Sequence, residues 1–277
     1  MRHLRVLVVA VIVLASIGGS AAQSGPDKEA NWNAFIAWFK TAPMAGNPLA
    51  AYADKLKGEG KAEGDVKQTL ALLTNLLAER SDWIGIHFDK VFSRPITGEP
   101  AIDLMSTQPS ALLVASINGL KPGTALDGGM GLGRNAVYLA QQGWTVTGFD
   151  ISEQALVLSR ANAQKAGVQV TTVKATYDSF DFGSNQWDLI VLAFAWAPVT
   201  DPTFVARLRT SLRPGGRIVF EHTIQNSRGP RVTKALMPSE LRACFSAFAI
   251  ASYEETIGLG DWGGPGTSLV RMVAVKQ

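Results

Sequence analysis

The pattern of apolar and polar residues divides the chain into a helical first part and an alternating remainder. Two segments, 31–40 and 65–80, repeat apolar side chains every three or four residues, which predicts amphipathic helices that each bury one face. We therefore predict two or three helices between residues 31 and 80. The apolar positions are Trp32, Phe35, Ile36 and Phe39 in the first segment and Val66, Leu70, Leu73 and Leu77 in the second.

Beyond about residue 124, short apolar runs alternate with helical patterns. The runs are typical of strands in a buried parallel sheet, and the helices 134–142 and 153–166 each end before a glycine. This alternation predicts an α/β fold, a doubly wound sheet with helices on both faces. Two predicted strands end at Asp127 and Asp150. The other five cover Val168–Val173, Leu189–Phe194, Arg217–Glu221, Ala249–Tyr253 and Leu269–Val275. A glycine-rich loop, Gly258–Gly266, is predicted to join the last two.

The N-terminus has the composition of a secretory signal. Residues 1–5 are basic, residues 6–17 are apolar apart from Ser16, and small residues precede Gln23, which predicts cleavage after Ala22 and export. An uncleaved anchor through residues 6–22 is the alternative, and no stable membrane span is expected after cleavage. We thus predict a signal at 1–22, a helical extension or lid at 23–94 and a catalytic domain at 95–277.

The charge, the cysteine content and the spacing of possible ligands argue against a nucleic-acid partner, an internal disulfide and a metal site. The chain has 26 basic and 23 acidic residues, a net charge of +3, and residues 1–22 contribute two arginines and no acid. The remaining +1 and the lack of a basic run argue against a nucleic-acid partner. The single cysteine, Cys244, permits no internal disulfide and is predicted to be a small core residue in a helix-like run, 241–248. No His/Cys cluster has metal-ligand spacing, so no metal is predicted.

A glycine-rich segment between two predicted strands carries the candidate chemistry. Gly129, Gly131 and Gly133 let the backbone approach a ligand, and the helix that begins at Arg134 and Asn135 offers unpaired N–H groups to an anion. A carboxylate ends the second strand, where it can accept both hydroxyls of a ribose. That carboxylate is Asp150, followed by Ile151. An adenosine-containing ligand is therefore expected.

The acid at the end of the first strand favours one such ligand over another. Gly131, Gly133 and Ala136 satisfy the relaxed dinucleotide fingerprint, which keeps an NAD(P)-linked oxidoreductase as a less favoured alternative. Asp127, however, would face and repel a pyrophosphate. S-adenosylmethionine has no phosphate, and its ammonium group would be attracted by Asp127 while the helix N-terminus takes its carboxylate.

Three motifs in order extend this interpretation. The segments 126–136, 186–191 and 212–219 resemble motif I, the fourth-strand motif and the turn into the fifth strand of class I S-adenosylmethionine-dependent methyltransferases, particularly small-molecule and tellurite-resistance-like types. Gly128 departs from the bulkier residue often found in motif I. The resemblance implies a seven-stranded, Rossmann-like sheet whose last strand is antiparallel, and S-adenosylmethionine as the cofactor.

The same resemblance implies the rest of the site. An acid in the loop after the third strand usually binds the adenine, and Asp178 or Thr176 are the candidates. Tyr177, between them, and Phe194, after the fourth strand, are also predicted to contact the cofactor. The acceptor is expected beyond the fourth and fifth strands, near Phe194, Trp196 and Pro198, with His222, Glu221 and His87 as candidate proton acceptors. We predict in-line methyl transfer to a small-molecule acceptor. A non-catalytic S-adenosylmethionine-binding protein is the alternative, and the sequence leaves the acceptor and the oligomeric state open.

Overall fold

Four helices form the N-terminal part of the computed structural model, which describes residues 27–44, 47–80, 82–94, 106–224, 236–261 and 264–277. They are α1 (Lys28–Thr41), α2 (Pro48–Gly58), α3 (Glu63–Glu79) and α4 (Asp82–Phe92). The predicted signal and the proposed boundary after residue 94 lie outside the described residues. Within the ranges that the structure describes, no helix has the length and apolar character that a membrane crossing requires.

The N-terminal helices bury an aromatic core. Asp27 and Asn47 cap α1 and α2 by accepting backbone N–H bonds, and Phe35 lies fully buried among the rings of the neighbouring helices. The prediction of two or three helices between residues 31 and 80 is confirmed, with three. The fourth helix, α4, follows in a segment to which the sequence pattern assigned no structure.

The remainder forms one seven-stranded sheet in the order β3-β2-β1-β4-β5-β7-β6. All adjacent pairs are parallel except those made by β7, which confirms the predicted doubly wound sheet with its last strand antiparallel. Helices cover both faces over two apolar cores. The elements are α5 (Ala111–Ile117), β1 (Thr124–Gly128), α6 (Arg134–Gln141), β2 (Thr145–Asp150), α7 (Glu153–Lys165), β3 (Thr171–Lys174), β4 (Trp187–Ala193), α8 (Pro202–Ser211), β5 (Leu212–Thr223), α9 (Pro238–Cys244), β6 (Ala249–Gly260) and β7 (Gly264–Val275).

Several predicted boundaries were wrong, for local reasons. Strand β3 starts at Thr171 rather than Val168, because the N–H of Val168 instead donates to Ala163 at the end of α7. The predicted loop 258–266 is largely paired strand, since Gly260 pairs with Gly264. Helix α9 stops at Cys244 instead of continuing to residue 248, and this cysteine is only half-buried at the edge of the core.

Candidate functional site

A cavity of about 420 Å³ opens at the carboxyl ends of β1, β2 and β4, against the N-terminus of α6. Its size lies within the range of roughly 300–1,000 Å³ that is typical of small-molecule sites. The structure brings eleven of the twelve predicted cofactor residues into its wall. They are Asp127, Gly129, Gly131, Arg134, Asn135, Asp150, Ile151, Thr176, Tyr177, Asp178 and Phe194.

The glycines of the loop have different roles. All three have positive φ, which only glycine adopts without strain. Gly131 lies in the cavity wall and donates its N–H to Asp150 Oδ2 at 2.9 Å. Gly133, the twelfth predicted residue, instead permits helix packing, because a Cβ there would lie 2.9 Å from the Cβ of Ser159 on α7. The loop therefore faces the ligand at one end and fixes the two helices at the other.

Asp127 is buried at the end of β1 and faces the first turn of α6. Its Oδ2 accepts the N–H of Ala136 at 3.1 Å. Burial raises the pKa of this carboxyl to about 7, although Arg134 and the N–H of Ala136 favour the charged form. A cation in the cavity would be a favourable partner for the ionised carboxylate of Asp127. The ammonium group of the predicted cofactor is such a cation.

Asp150 ends β2 and organises the loops on both sides. Its Oδ2 accepts from Gly131 and its Oδ1 accepts from the N–H of Ser152 at 2.9 Å. Burial raises the pKa to about 6 despite these bonds. Because each carboxylate oxygen can accept a second hydrogen bond, the same group can still bind ligand hydroxyls.

The loop after β3 contributes two half-buried residues, Thr176 and Tyr177, and one exposed residue, Asp178. The Tyr177 hydroxyl lies between the carbonyl oxygens of Gly128, at 3.1 Å, and Ala195, at 3.0 Å, and burial raises its pKa well above the usual value. Thr176 forms a turn with Ser179, whereas Asp178 is exposed in the cavity wall. Tyr177 thus joins the loops after β1 and β4, and the choice between Thr176 and Asp178 as adenine acceptor stays open.

Helix α4 covers the cavity and is fixed to α7. Ile84, Phe88 and Phe92, at four-residue spacing, line the cavity. Asp89 accepts from the Ser152 hydroxyl at 2.7 Å and from the N–H of Gln154 at 3.2 Å, which caps the start of α7. A lid was expected within residues 23–94, but no helix was assigned to residues 82–92, although the four-residue spacing of their apolar side chains was a signal.

We expect Asp89→Ala to destabilise this junction. Loss of the cap and of its side-chain bond should lower the free energy of unfolding by about 1–2 kcal/mol. Urea unfolding followed by tryptophan fluorescence measures the change. Asp54→Ala is the matched control, because Asp54 is an exposed aspartate in α2. Equal midpoints for the two variants would contradict the assigned role of Asp89.

The three predicted proton acceptors lie beside the cavity. Glu221 pairs with Arg271 at 2.7 Å and accepts from Ser110 at 2.6 Å, and His87 packs among aromatic rings that lower its pKa to about 4 through burial. His222 is buried, and burial lowers its pKa. None of the three is among the described residues that line the cavity, so a catalytic role for any of them stays a prediction. The described ranges also hold no group of three potential metal ligands among His, Cys, Asp and Glu.

The imidazole of His222 contacts the next residue through one ring nitrogen. Nδ1 lies 3.0 Å from the carbonyl oxygen and 3.3 Å from the hydroxyl oxygen of Thr223. Nε2 is buried without a hydrogen-bond partner among the described residues. The ring of Trp196, which lines the cavity, lies 5.7 Å from the imidazole ring.

The segment after β4 is conformationally strained. Phe194 and Trp196 have φ values of 55° and 45°, which are unusual for bulky side chains and cluster at functional sites. Ala195, between them, packs against the glycine loop, since a Cβ on Gly129 would lie 2.7 Å from its Cβ. This tight contact brings the wall beyond β4 next to the predicted cofactor loop.

Comparisons with known proteins agree with this geometry. Residues 125–216 match a family model described as a methyltransferase domain. The ubiquinone biosynthesis O-methyltransferase of Serratia proteamaculans is 32% identical over 107 residues, 38% of this chain and 44% of that protein. Its counterpart in Erwinia tasmaniensis is 31% identical over 113 residues, 40% of this chain and 46% of that protein. The chain thus spans less than half the length of these relatives.

Solved structures share the fold at low sequence identity. The 1,6-didemethyltoxoflavin-N1-methyltransferase of Burkholderia thailandensis, solved with S-adenosylhomocysteine, has a TM-score of 0.53 at 22% identity, covering 74% of this chain and 89% of that one. The [4+2]-cyclase SpnF has a TM-score of 0.51 at 16% identity, covering 71% and 96%. A cyclase and a methyltransferase on one architecture show that the fold alone does not determine the reaction.

The matched segment contains most of the residues that line the cavity. It contains β1, the glycine loop, the acid at the end of β2 and the β4 motif, in the order expected from the sequence. The strand order and the antiparallel β7 extend the agreement beyond the matched residues. Residues 125–216 therefore form a methyltransferase domain, and the chain is similar to class I, Rossmann-like S-adenosylmethionine-dependent methyltransferases in the motifs and the strand order that build the cavity.

Proposed function

We propose that this protein transfers a methyl group from S-adenosylmethionine to a small-molecule acceptor. The observation that carries the proposal is the placement of two buried carboxylates and one helix N-terminus around a single cavity. Asp127 would bind the ammonium group, the first N–H groups of α6 the carboxylate, and Asp150 the ribose hydroxyls. The names of the relatives support methyl transfer, and the S-adenosylhomocysteine bound in the toxoflavin methyltransferase supports the cofactor.

The contribution of the chain to such a reaction is alignment. The cofactor supplies a methyl group on a positively charged sulfur, so the protein must hold an acceptor in line with it and exclude water. Orientation can supply about 7–11 kcal/mol of the barrier in favourable cases. Helix α4 and the strained segment after β4 form the walls that would enclose the acceptor.

Calorimetric titration of the protein from Gln23 onward tests the cofactor. S-adenosylmethionine and S-adenosylhomocysteine are expected to bind, and NADPH is not, because its phosphates would face Asp127. Binding of NADPH alone would overturn the proposal and restore the oxidoreductase alternative. Methyl turnover with a panel of phenols, thiols, selenite and tellurite then separates an enzyme from a non-catalytic binding protein.

We expect the affinity for S-adenosylmethionine to increase with pH. Binding the ammonium group requires ionised Asp127, whose pKa is raised to about 7. Affinity should therefore rise about ten-fold between about pH 6 and about pH 8. Titrations across this range measure the slope, which Asp127→Asn should remove. A flat profile in the unmodified protein would contradict the role of Asp127.

The unliganded protein should show the opposite trend in stability. The pKa values of Asp127 and Asp150 are raised from 3.8 to about 7 and about 6, so the fold favours their protonated forms. Their contribution to the free energy of unfolding is complete below the ordinary pKa and is lost as pH rises through the raised values. The thermal shift caused by the cofactor should accordingly be larger at high pH.

We also propose that residues 1–22 direct export of the protein. The basic start, the apolar run and the small residues before Gln23 support this proposal. N-terminal sequencing of the mature protein from a fractionated host tests it. A mature chain that begins at Gln23 outside the cytoplasm is expected, whereas an intact N-terminus in the membrane fraction would favour the anchor.

A further inference from the structure

Aromatic side chains from three separate elements line the cavity that also holds the two carboxylates of the cofactor site. Phe88 and Phe92 come from α4, and Phe194 and Trp196 from the segment after β4. Phe204, on α8, completes this acceptor wall. The rings of Phe88 and Trp196 lie 5.5 Å apart, so the lid and the β4 segment meet directly. Such a surface favours a flat, apolar ligand.

An ion pair stands in the same wall. The Arg134 guanidinium lies 5.9 Å from the ring centre of Phe194 and pairs with Asp261, at the turn between β6 and β7. The distances are 2.6 Å from Nη2 to Oδ2 and 3.3 Å from Nη1 to Oδ1. Ser106 completes the arrangement, since its carbonyl oxygen accepts from Arg134 and its N–H donates to Asp261.

Because of this ion pair, the backbone and the side chain of Arg134 have different roles. The backbone of Arg134 belongs to the first turn of α6, which faces the cofactor, while its guanidinium turns towards Asp261 and Phe194. Both charged side chains are only 11–12% exposed. An anion that enters would have to displace Asp261 from this partner or remain poorly paired, and either costs binding energy.

Arg207, the other positively charged residue among the described lining of the cavity, also has bonding partners. Arg207 donates to the carbonyl oxygens of Tyr177 at 3.2 Å and Phe180 at 3.3 Å, and its guanidinium lies 5.1 Å from the ring centre of Phe182. The described wall contains five aspartates and these two arginines. Its electrostatic balance therefore opposes a negatively charged acceptor.

We propose that the acceptor is a neutral aromatic molecule and that Asp261, by neutralising Arg134 in the acceptor wall, is the residue that excludes anionic acceptors. The inference rests on the proposed function, because it assigns the aromatic wall to the methyl acceptor. It narrows the acceptor class from small molecules in general to uncharged rings. Oxyanions such as selenite and tellurite fall outside it.

Two ligands with the same ring system test the charge selection. Protein saturated with S-adenosylhomocysteine, so that the cofactor region is filled, is titrated with 2-naphthol and with 2-naphthoate at neutral pH. We expect 2-naphthol to bind at least about ten-fold more tightly. Equal or tighter binding of 2-naphthoate, or no binding of 2-naphthol, would overturn the inference. Prior saturation with S-adenosylhomocysteine separates that result from a failure of the proposed function.

Asp261→Asn tests the assigned residue. The amide keeps the size of the side chain and an oxygen for the N–H of Ser106, but it leaves the charge of Arg134 uncompensated. We expect 2-naphthoate to gain about ten-fold in affinity, while 2-naphthol and S-adenosylhomocysteine change less than about three-fold. If S-adenosylhomocysteine gains instead, the guanidinium faces the cofactor and the inference is wrong. Asp54→Asn, on exposed α2, is the control for a general change of charge.

Trp196→Leu tests the aromatic wall independently of charge. The substitution keeps an apolar side chain but removes the ring, so the affinity for 2-naphthol should fall about five-fold or more. Tyr253→Leu, on strand β6 outside the described cavity lining, is the matched control and should leave it unchanged. Equal affinities in Trp196→Leu and the unmodified protein would contradict an acceptor position against this wall.

Discussion

Asp150→Ala should weaken the binding of S-adenosylhomocysteine by roughly 100-fold. Hydrogen bonds to a charged group are worth about 1.5–3 kcal/mol each, and about 1.4 kcal/mol corresponds to ten-fold in affinity. The substitution also removes the acceptors for the N–H groups of Gly131 and Ser152, so the ligand-facing loop loses support. Asp150→Asn should have a smaller effect, because one oxygen remains. Calorimetric titration measures both variants.

Asp188→Asn is the control for this prediction. Asp188 also accepts backbone and side-chain hydrogen bonds, from Thr124 at 2.8 and 3.0 Å, and pairs with Arg213 at 2.6 Å. It lies at the opposite end of the sheet, outside the described cavity lining. The variant should lose some stability and keep its affinity. Similar losses of affinity at positions 150 and 188 would mean that Asp150 acts only through the fold.

Gly129→Ala should be among the most damaging single substitutions in the glycine loop. The backbone has φ = 66°, and a Cβ would lie 2.7 Å from the Cβ of Ala195 and 2.9 Å from the Tyr177 hydroxyl. Backbone strain and overpacking together predict a loss of about 2–5 kcal/mol in the free energy of unfolding. Because the displaced residues line the cavity, affinity for S-adenosylhomocysteine should fall as well. Urea unfolding and titration measure the two effects.

Gly167→Ala separates strain from contact. Gly167 has almost the same conformation, φ = 69°, but a Cβ there meets no atom within 4 Å. This control should lose only about 1–2 kcal/mol, from strain alone, and should retain its affinity. If both variants lose the same stability, the close approach of Gly129 to the β4 segment has no energetic importance.

Prediction from sequence was most reliable where local chemistry decides the structure. The helical period of 31–40 and 65–80 and the glycines after 142 and 166 identified helices whose observed ends differ by a few residues. Prediction was poorest near the C-terminus. There the glycines at 258–260 suggested a loop, but pairing with β7 holds them in a strand. Cross-strand hydrogen bonds outweighed the local preference of glycine for turns.

The candidate site shows the same division. A contiguous motif brought Asp127, the glycines and Asp150 together in the prediction, because strand, loop and helix follow one another without a break. A lid was expected within residues 23–94 and His87 was a candidate proton acceptor, but the apolar face of α4 and Asp261 were not predicted as walls of the cavity. Asp89 contacts residues more than 60 positions away, and Asp261 pairs with an arginine 127 positions away. No local pattern reports which distant surfaces will pack together.

The sequence by itself determined the α/β class, the loop that would hold the cofactor and the acid at the end of each of the first two strands. These features follow from the periodicity of apolar residues and from the conformations that glycine permits within a few residues. Only the tertiary structure decided which helix of the expected lid covers the cavity, that Glu221 forms an ion pair behind it and that Asp261 neutralises Arg134. Each of these depends on the burial of charged or apolar surface against a remote part of the chain, and such burial is a property of the whole fold.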